Sequence, residues 1–376
     1  MGIADHLEYP HEIAHLDLEA RLLGHLAPDR LGEVLTGLEV AAGHGPQTTG
    51  RLPGAPHHEQ SAVAHDDGSD CNERPVRHAA SLSEGPLLST AMFLSHATGR
   101  LRLDRCLVMG ILNRTPDSFY DGDRMDLAEI VDLAHRMASE GADVLDIGGV
   151  KGGPGPAVDV GEELDRVVPV VDALASDVAL PLSVETGRPD VARLVLEAGA
   201  SIVNDITALA RPGLAEECAR AGAAMVLMHN GNQLRGRPRS PVYPDVVDAV
   251  IAEWRRLSAA AVESGMANDA LVMDPGLDFG KTTGHSLELM RRLGELVAQA
   301  WPVLVAPSHK DVVGETLGLP VGDRLEGSLA LAALSAAAGA SFVRVHDVAP
   351  SVRVVAMVEA VMGRRPPAAP VRGLWD

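Results

Sequence analysis

The sequence predicts a (β/α)8 TIM barrel preceded by a largely disordered N-terminal extension. Three observations carry that expectation. Beyond residue 100 the chain holds eight short, nearly unbroken apolar runs, and helical patterns with apolar residues at three- and four-residue steps lie between them. Strands that are apolar throughout are covered on both faces, as parallel strands beneath helices are. Eight such units in roughly 260 residues match the usual size of a closed barrel. A doubly wound sheet is the alternative, but no Gly-x-Gly-x-x-Gly turn follows the first run.

The runs, in order, are CLVMGILN, DVLDIGG, PLSVET, SIVNDI, AMVLMH, LVMDPG, PVLVAP and FVRVHD. Between the first two lies LAEIVDLAHRMASEGA, and after the second GEELDRVVPVVDALA, both with one apolar face at helical period. Each helical pattern closes on Gly or another small residue before the next run, as helix C-termini often do. The barrel is placed at residues 101–364, with 365–376 as a C-terminal tail.

Residues 1–100 read differently. They hold ten of the 15 histidines, and RLPGAPHHEQSAVAHDDGSDCNERP is a polar, Pro/Gly-broken stretch without periodicity. Leu16 to Val40 has the pattern of two short amphipathic helices broken near Ala27-Pro28-Asp29. His57-His58 has no organised partners, so a solvated tail outweighs a metal site. A true start near Met92 would also account for this composition.

The 46% hydrophobic and 3% aromatic content makes the core aliphatic. A net charge of −20 argues against a nucleic-acid surface, which relies on excess Lys and Arg. Cys71, Cys106 and Cys218 lack paired or metal-like spacing, which suits a reducing cytoplasm. No apolar stretch has transmembrane length, so no membrane partner is expected. Of 32 Lys and Arg residues, only Lys151, Lys281 and Lys310 are lysines. They mark positions where a compact ammonium suits and a planar guanidinium does not.

In a barrel of this kind chemistry sits at the C-terminal strand ends, and polar residues collect there. Asn113 closes the first run and Asp146 lies in the second. Glu185, Asn204, Asp205, His229 and Asp274 follow in the third to sixth. Ser308, His309 and Lys310 follow the seventh, and Arg344, His346 and Asp347 lie in the eighth. All three lysines fall just past the second, sixth and seventh runs. Polar groups inside apolar strands need partners or a ligand. Asp274 can accept two hydrogen bonds from a planar N–H edge, Asn204 can donate and accept, and Lys310 can donate to a ring heteroatom. A plain Asp274–Lys310 ion pair is the bland alternative. Arg344 and His346 alternate on one strand and, with Asn113, could hold an anion.

These residues resemble the dihydropteroate synthase family across residues 106–362. The likeness is carried by ILNRTPDSFYDGD, LDIGG…PG, SIVNDI, LMHN, DPGLDFGK, the SHK of PSHKDVVGETLG, RLEGSLA and FVRVHDV. VKGGPG and KDVVGETLG together resemble a divergent second paralogue of actinobacteria. The resemblance implies a transferase that joins 6-hydroxymethyl-7,8-dihydropterin pyrophosphate to p-aminobenzoate with loss of pyrophosphate, using Mg2+. It implies Lys310, Asp274 and Asn113 as catalytic residues. Asn204, Asp274, Lys310, Met228, Glu185 and Phe279 would surround the pterin, and Asn113, Arg344, His346 and Lys151 the pyrophosphate. Asn113 would lie at the metal. Phe119, Ser308, His309 and Asp311 would face the second substrate. A homodimer through the last helices is also implied. Folate-dependent methyltransferases share such a barrel, but NRTPDSFYDGD and RVHD favour a pyrophosphate substrate.

Three departures from the family pattern stand out. Val150-Lys151-Gly152-Gly153 replaces a Glu-Ser-Thr-Arg run, which reads as a freer and roomier lid. Lys151 would replace the lost charge from one position earlier, and Arg114 in NRTPDS would supply another. Ser308-His309-Lys310-Asp311 replaces Ser-Arg-Lys-Ser and sets a carboxylate where that of p-aminobenzoate would bind. Ser308 and Asp311 also have capping-box-like spacing. Glu185 stands where Asp is usual. The alternatives are therefore a different amine in the same pocket, or a pterin-binding protein without turnover.

Overall fold

The described chain opens with an antiparallel hairpin, β1 (Phe93–His96) and β2 (Gly99–Arg102), in which Leu94 pairs with Leu101. The computed structural model describes residues 92–114, 126–152, 157–231, 241–299 and 301–372. Of the extension expected to lack order over residues 1–100, residues 1–91 lie outside the described residues, as do the helices over 16–40, Phe119 and Gly153. Residues 93–100 instead belong to this ordered hairpin, held by strand pairing and the burial of Leu94.

Eight parallel strands follow: β3 (Leu107–Asn113), β4 (Val144–Gly148), β5 (Leu182–Glu185), β6 (Ile202–Asp205), β7 (Ala224–Met228), β8 (Leu271–Asp274), β9 (Leu304–Val305) and β10 (Phe342–Val345). The strand order is β8-β7-β6-β5-β4-β3-β10-β9, so sequence neighbours are spatial neighbours throughout. The sheet returns on itself where Met273 bridges Val303 and the Met273 N–H donates to Pro302 O at 2.9 Å. This is the expected (β/α)8 barrel.

Helices between the strands start where the sequence supplies caps. Asp126 and Glu129 form a capping box for α1 (Leu127–Ser139), whose buried stripe is Ile130, Ala134 and Met137. Asp159 caps α2 (Val160–Leu174), and Pro189 opens α3 (Pro189–Glu197). After α4 (Leu214–Ala221), Asp245 caps α5 (Val246–Glu263). Thr282 and His285 form the box of α6 (Thr283–Arg291), which α7 (Leu293–Val297) continues. The chain then forms α8 (Asp311–Leu317), α9 (Leu325–Ala338) and α10 (Val348–Val361).

The barrel interior is an aliphatic plug built from Met109, Val144, Ile202, Val226, Val272 and Phe342, with Leu94 of the hairpin in the same cluster. Leu94 is 1% exposed, so the hairpin stoppers the N-terminal end of the barrel. A β-strand repeats its facing every two residues. Two positions beyond the interior residues Val144, Ile202, Val272 and Phe342 the sequence therefore places Asp146, Asn204, Asp274 and Arg344 on that same inward face. Apolar filling gives way to charge at the C-terminal mouth.

Candidate functional site

At the mouth, four strands contribute to one buried network around Asp146, which is fully buried on β4. Its Oδ2 accepts from Asn204 Nδ2 of β6 at 3.0 Å and from Arg344 Nε of β10 at 2.6 Å. Arg344 Nη2 then donates to Glu185 Oε2 of β5 at 2.8 Å. Burial alone would lower the Arg344 pKa, but the two carboxylates outweigh it and raise it. Burial drives the Glu185 carboxyl up to about 7, with Arg344 opposing. Asp146 Oδ1 is buried without a hydrogen-bond partner among the described residues.

Asp274 ends β8, beside Met228 of β7 in the register. Its Oδ1 accepts from Gly276 N–H at 2.7 Å, and its main-chain oxygen accepts from Trp254 Nε1 at 3.2 Å. Trp254, fully buried on α5, thus ties the outer core to the strand end. Lys310 Nζ donates to Leu277 O at 2.9 Å and lies 5.1 Å from the centre of the Phe279 ring. No ion pair joins Asp274 to Lys310 among the described residues, so the bland pairing is not how either is satisfied. Burial raises the Asp274 pKa and lowers that of Lys310, each opposed by the other's charge. A buried acid and a buried ammonium are thus held apart in one pocket, ready to meet a polar ring edge.

Gly152 borders this pocket. A Cβ there would meet Phe279 Cζ and Ile206 Cδ1 at 3.3 Å and Glu185 Oε1 at 3.5 Å. The bare loop therefore does not leave the expected room at this position: its backbone lies against Phe279 and Glu185. Lys151 is the next residue back and is partly buried. Arg114 Nη1 donates to the α2 carbonyls of Asp165 and Arg166 at 3.0 and 3.1 Å. Asn113 ends β3 beside Gly148, where a Cβ would come within 2.7 Å of Asn113 Oδ1. Glycine at 148 leaves that amide its place.

The segment after β9 corrects a second reading. Ser308 does not cap α8: the N-cap is Lys310 and makes no side-chain cap bond. Ser308 Oγ instead accepts from His346 N–H at 3.2 Å and meets His346 Nδ1 at 3.0 Å. Burial, with Arg344 and His309 nearby, lowers His346 to about 3, so its ring stays neutral. His309 sits in a left-handed conformation at φ 53°. Its Nδ1 lies 3.0 Å from Val321 O and its Nε2 2.7 Å from Asp347 Oδ2. Both ring nitrogens face acceptors, which suits the doubly protonated ring. Burial alone would lower its pKa; Asp347 and Val321 O raise it. Asp311 Oδ1 accepts from Arg324 Nη1 at 3.2 Å, and the same nitrogen donates to His309 O at 2.8 Å. Arg324 thus offsets the carboxylate expected to repel p-aminobenzoate.

Asn204, Asp274, Glu185, Lys310 and Arg344 therefore meet at one mouth, where the strand-end pattern put them, together with Met228 and Phe279, which the family resemblance added. His309 and Asp311 are turned into contacts with their own neighbouring backbone and side chains. The sequence reading gave no role to Asp146, Arg324 or Asp278, whose Oδ2 accepts from Val312 N–H at 3.1 Å. Asp146 was findable: an acid in the middle of a wholly apolar run needs a cationic partner.

Comparison with known proteins gives a consistent picture. The family model described as "Pterin binding enzyme" matches residues 109–346. The chain is 48% identical over 280 residues to "Inactive dihydropteroate synthase 2" of Mycobacterium tuberculosis, covering 72% of this chain and 87% of that protein. It is 40% identical over 260 residues to the dihydropteroate synthase of Escherichia coli, covering 69% and 92%. Among solved structures, the Yersinia pestis dihydropteroate synthase in complex with a sulfonamide drug superposes with a TM-score of 0.70 at 41% identity, covering 72% of this chain and all of that one. The Xanthomonas albilineans dihydropteroate synthase with 4-aminobenzoic acid gives 0.67 at 41% identity, covering 75% and 100%.

Proposed function

The chain belongs to the pterin-binding enzyme family, and we propose that it acts as a dihydropteroate synthase-like transferase in folate biosynthesis. Its substrates would be 6-hydroxymethyl-7,8-dihydropterin pyrophosphate and an amine such as p-aminobenzoate. The observation that carries this reading is the convergence of Asn204, Asp274 and Lys310 with Arg344 at one buried mouth.

In this reading Asp274 accepts from the pterin's N–H edge, with its Oδ1 already fixed by Gly276. Asn204, fixed by Asp146, pairs with the ring beside it. Lys310 donates to a ring heteroatom while its ammonium stands over the Phe279 ring. The C–O bond from the methylene carbon to pyrophosphate breaks, a C–N bond forms to the amine, and the amine proton passes to solvent. Arg344, His346, Asn113 and Lys151 take the departing anion. Ser308, His309, Asp311 and Phe119 line the amine side. The residues fit a magnesium ion: Asn113 offers an amide oxygen, and Asp146 Oδ1 is a buried carboxylate oxygen without a partner. Mg2+ characteristically takes few protein ligands plus substrate phosphate oxygens. Such an ion would neutralise charge on the leaving pyrophosphate.

A second reading, a pterin-binding protein without turnover, has its own support. Arg344 is engaged by two carboxylates, and relatives at 48% identity are named inactive. A cytoplasmic location suits the buried, unpaired Cys106 and Cys218, and no helix among the described residues is long and apolar enough to cross a membrane. The test is pyrophosphate release from the dihydropterin pyrophosphate with Mg2+, with and without p-aminobenzoate. Release that depends on p-aminobenzoate supports the synthase. Release without that dependence points to another amine. Pterin binding without release supports the second reading.

A further inference from the structure

One cation of the molecule has no part in the chemistry above. Lys281 lies just past the β8 loop and is only 6% exposed. Its Nζ stands 3.0 Å from Gly276 O, 2.9 Å from Phe279 O, 3.1 Å from His229 O and 2.8 Å from His229 Nδ1. Every one of these acceptors is neutral. No carboxylate lies within ion-pair distance of it among the described residues. Three carbonyls and an imidazole nitrogen converging on one point resemble the oxygen-rich shell of a bound metal ion, with an ammonium at its centre. Burying a charge without a counter-ion is costly, and burial pulls the Lys281 pKa down to about 7, so the ammonium is the main form below that pH and its placement here asks for a reason.

The loop around it supplies one. Gly276 N–H fixes Asp274 Oδ1, Leu277 O receives Lys310 Nζ, Asp278 receives Val312 N–H, and the Phe279 ring lies beside Lys310. This one loop therefore sets Asp274 and Lys310, two of the groups assigned to the pterin, while the carbonyls of Gly276 and Phe279 turn onto Lys281. Gly276 has φ 66°, and a Cβ there would strike His229 O; at Gly280, φ 61°, it would stand 2.5 Å from Asn230 O. The β7 and β8 ends thus approach too closely for side chains at these glycines. His229 N–H donates to Asp274 O at 2.9 Å, and beyond that pair the Lys281 ammonium joins His229 to the carbonyls of Gly276 and Phe279. A planar guanidinium would not fit among four converging acceptors, which agrees with lysine's rarity in this chain. His229 must accept through Nδ1, and burial with the neighbouring ammonium lowers its pKa to about 3, so it stays neutral for that role.

We propose that Lys281 is a positioning residue for the Asp274–Lys310 pair, acting as a built-in monovalent cation that a small free cation can replace. The proposal rests on the pterin reading for its ligand but not for its cation. In the full chain, Lys281→Ala leaves a carbonyl-lined cavity. At about pH 6, pterin affinity should fall at least about ten-fold, in line with losing a charged donor's bonds. Ammonium or methylammonium chloride should restore several-fold of that loss, and tetramethylammonium at equal ionic strength should not. The Tm of the ligand-free variant should rise with ammonium in the same order. Unchanged pterin affinity in Lys281→Ala, or a loss that no small cation restores, overturns the proposal. If Lys281→Ala does not fold, Lys281→Gln keeps two N–H donors without the charge, and unimpaired pterin affinity there overturns it too. If the unsubstituted chain binds no pterin, the functional reading fails, and the Tm series still decides whether the cation site exists.

Discussion

Arg344 and Glu185 face each other across the barrel mouth, Nη2 to Oε2 at 2.8 Å, while Arg344 Nε holds Asp146 at 2.6 Å. The guanidinium that would receive pyrophosphate is thereby forked between two acids. Glu185 also borders Gly152, where a Cβ would touch its Oε1 at 3.5 Å, an ordinary contact distance. The longer carboxylate and the bare Gly152 fit one another. Glu185→Asp should draw the carboxylate back and free one side of Arg344. Pyrophosphate affinity, measured by calorimetry, should rise several-fold; an unchanged affinity would mean that the fork does not compete with the anion.

Glu185 also sets a pH dependence. Its folded pKa, about 7, lies above the unfolded value near 4.5. The folded state therefore binds the extra proton between these values. Stability is fully present below about pH 4.5 and is lost as pH rises through 7, by something on the order of 3 kcal/mol. Denaturant midpoints of Glu185→Gln should lack this fall when compared with the unsubstituted chain over the same range. Parallel curves for the two proteins would place the titration elsewhere.

Much of this was legible in the sequence because strands and helices have fixed periods. The eight apolar runs pointed to the barrel, and the polar residue at each run's end pointed to the mouth where buried polar side chains gather. Asn204, Asp274 and Lys310 were found in this way. Less legible was where a polar side chain finds its partner across the chain. Arg344 meets Asp146, 198 positions away, and Arg324 meets Asp311 across a turn. The same limit explains Ser308, whose spacing to Asp311 matched a helix cap while its hydroxyl was taken by His346 from a distant strand. Local pattern gives the face; tertiary pairing decides the occupant. Glycine in the lid was read as space, but a missing side chain also allows backbone to move in, as at Gly152.

His309 and Asp347 make a second titrating pair. The His309 pKa is raised by Asp347 and Val321 O against the effect of burial. Its contribution to stability is present below the unfolded histidine value, about 6.5, and is lost as pH rises through the folded value. Asp347→Asn should lower Tm more at pH 6 than at pH 9. Equal losses at both pH values would mean that the ring is neutral in the folded protein.

Asp311 bears on the choice of amine. Its Oδ1 engages Arg324 Nη1, which also holds His309 O. Asp311→Ser should release part of that guanidinium toward the amine side and remove a like charge, so affinity for p-aminobenzoate should rise roughly ten-fold, as losing an unfavourable charge contact of 1–2 kcal/mol implies. Aniline, without the carboxylate, should show no such gain. A gain for both would point to a steric rather than an electrostatic change.

The last two helices raise the question of a second copy. A helix that is apolar all round is expected inside a larger assembly. α9 reads LEGSLALAALSAAA and α10 VAPSVRVVAMVEAV, yet Leu334 is 57% exposed, Met357 64% and Val361 70%. The two helices pack against one another and leave these side chains on the surface. We propose that they bury against the same face of a second chain, an arrangement in which one patch is self-complementary. Large exposed apolar side chains on two helices that touch favour association over exposure. Met357→Glu with Val361→Glu should convert a dimer, in sedimentation velocity at micromolar concentration, to a monomer. The barrel should remain folded, because neither side chain belongs to the core. A chain that sediments as a monomer without these substitutions would remove this interface.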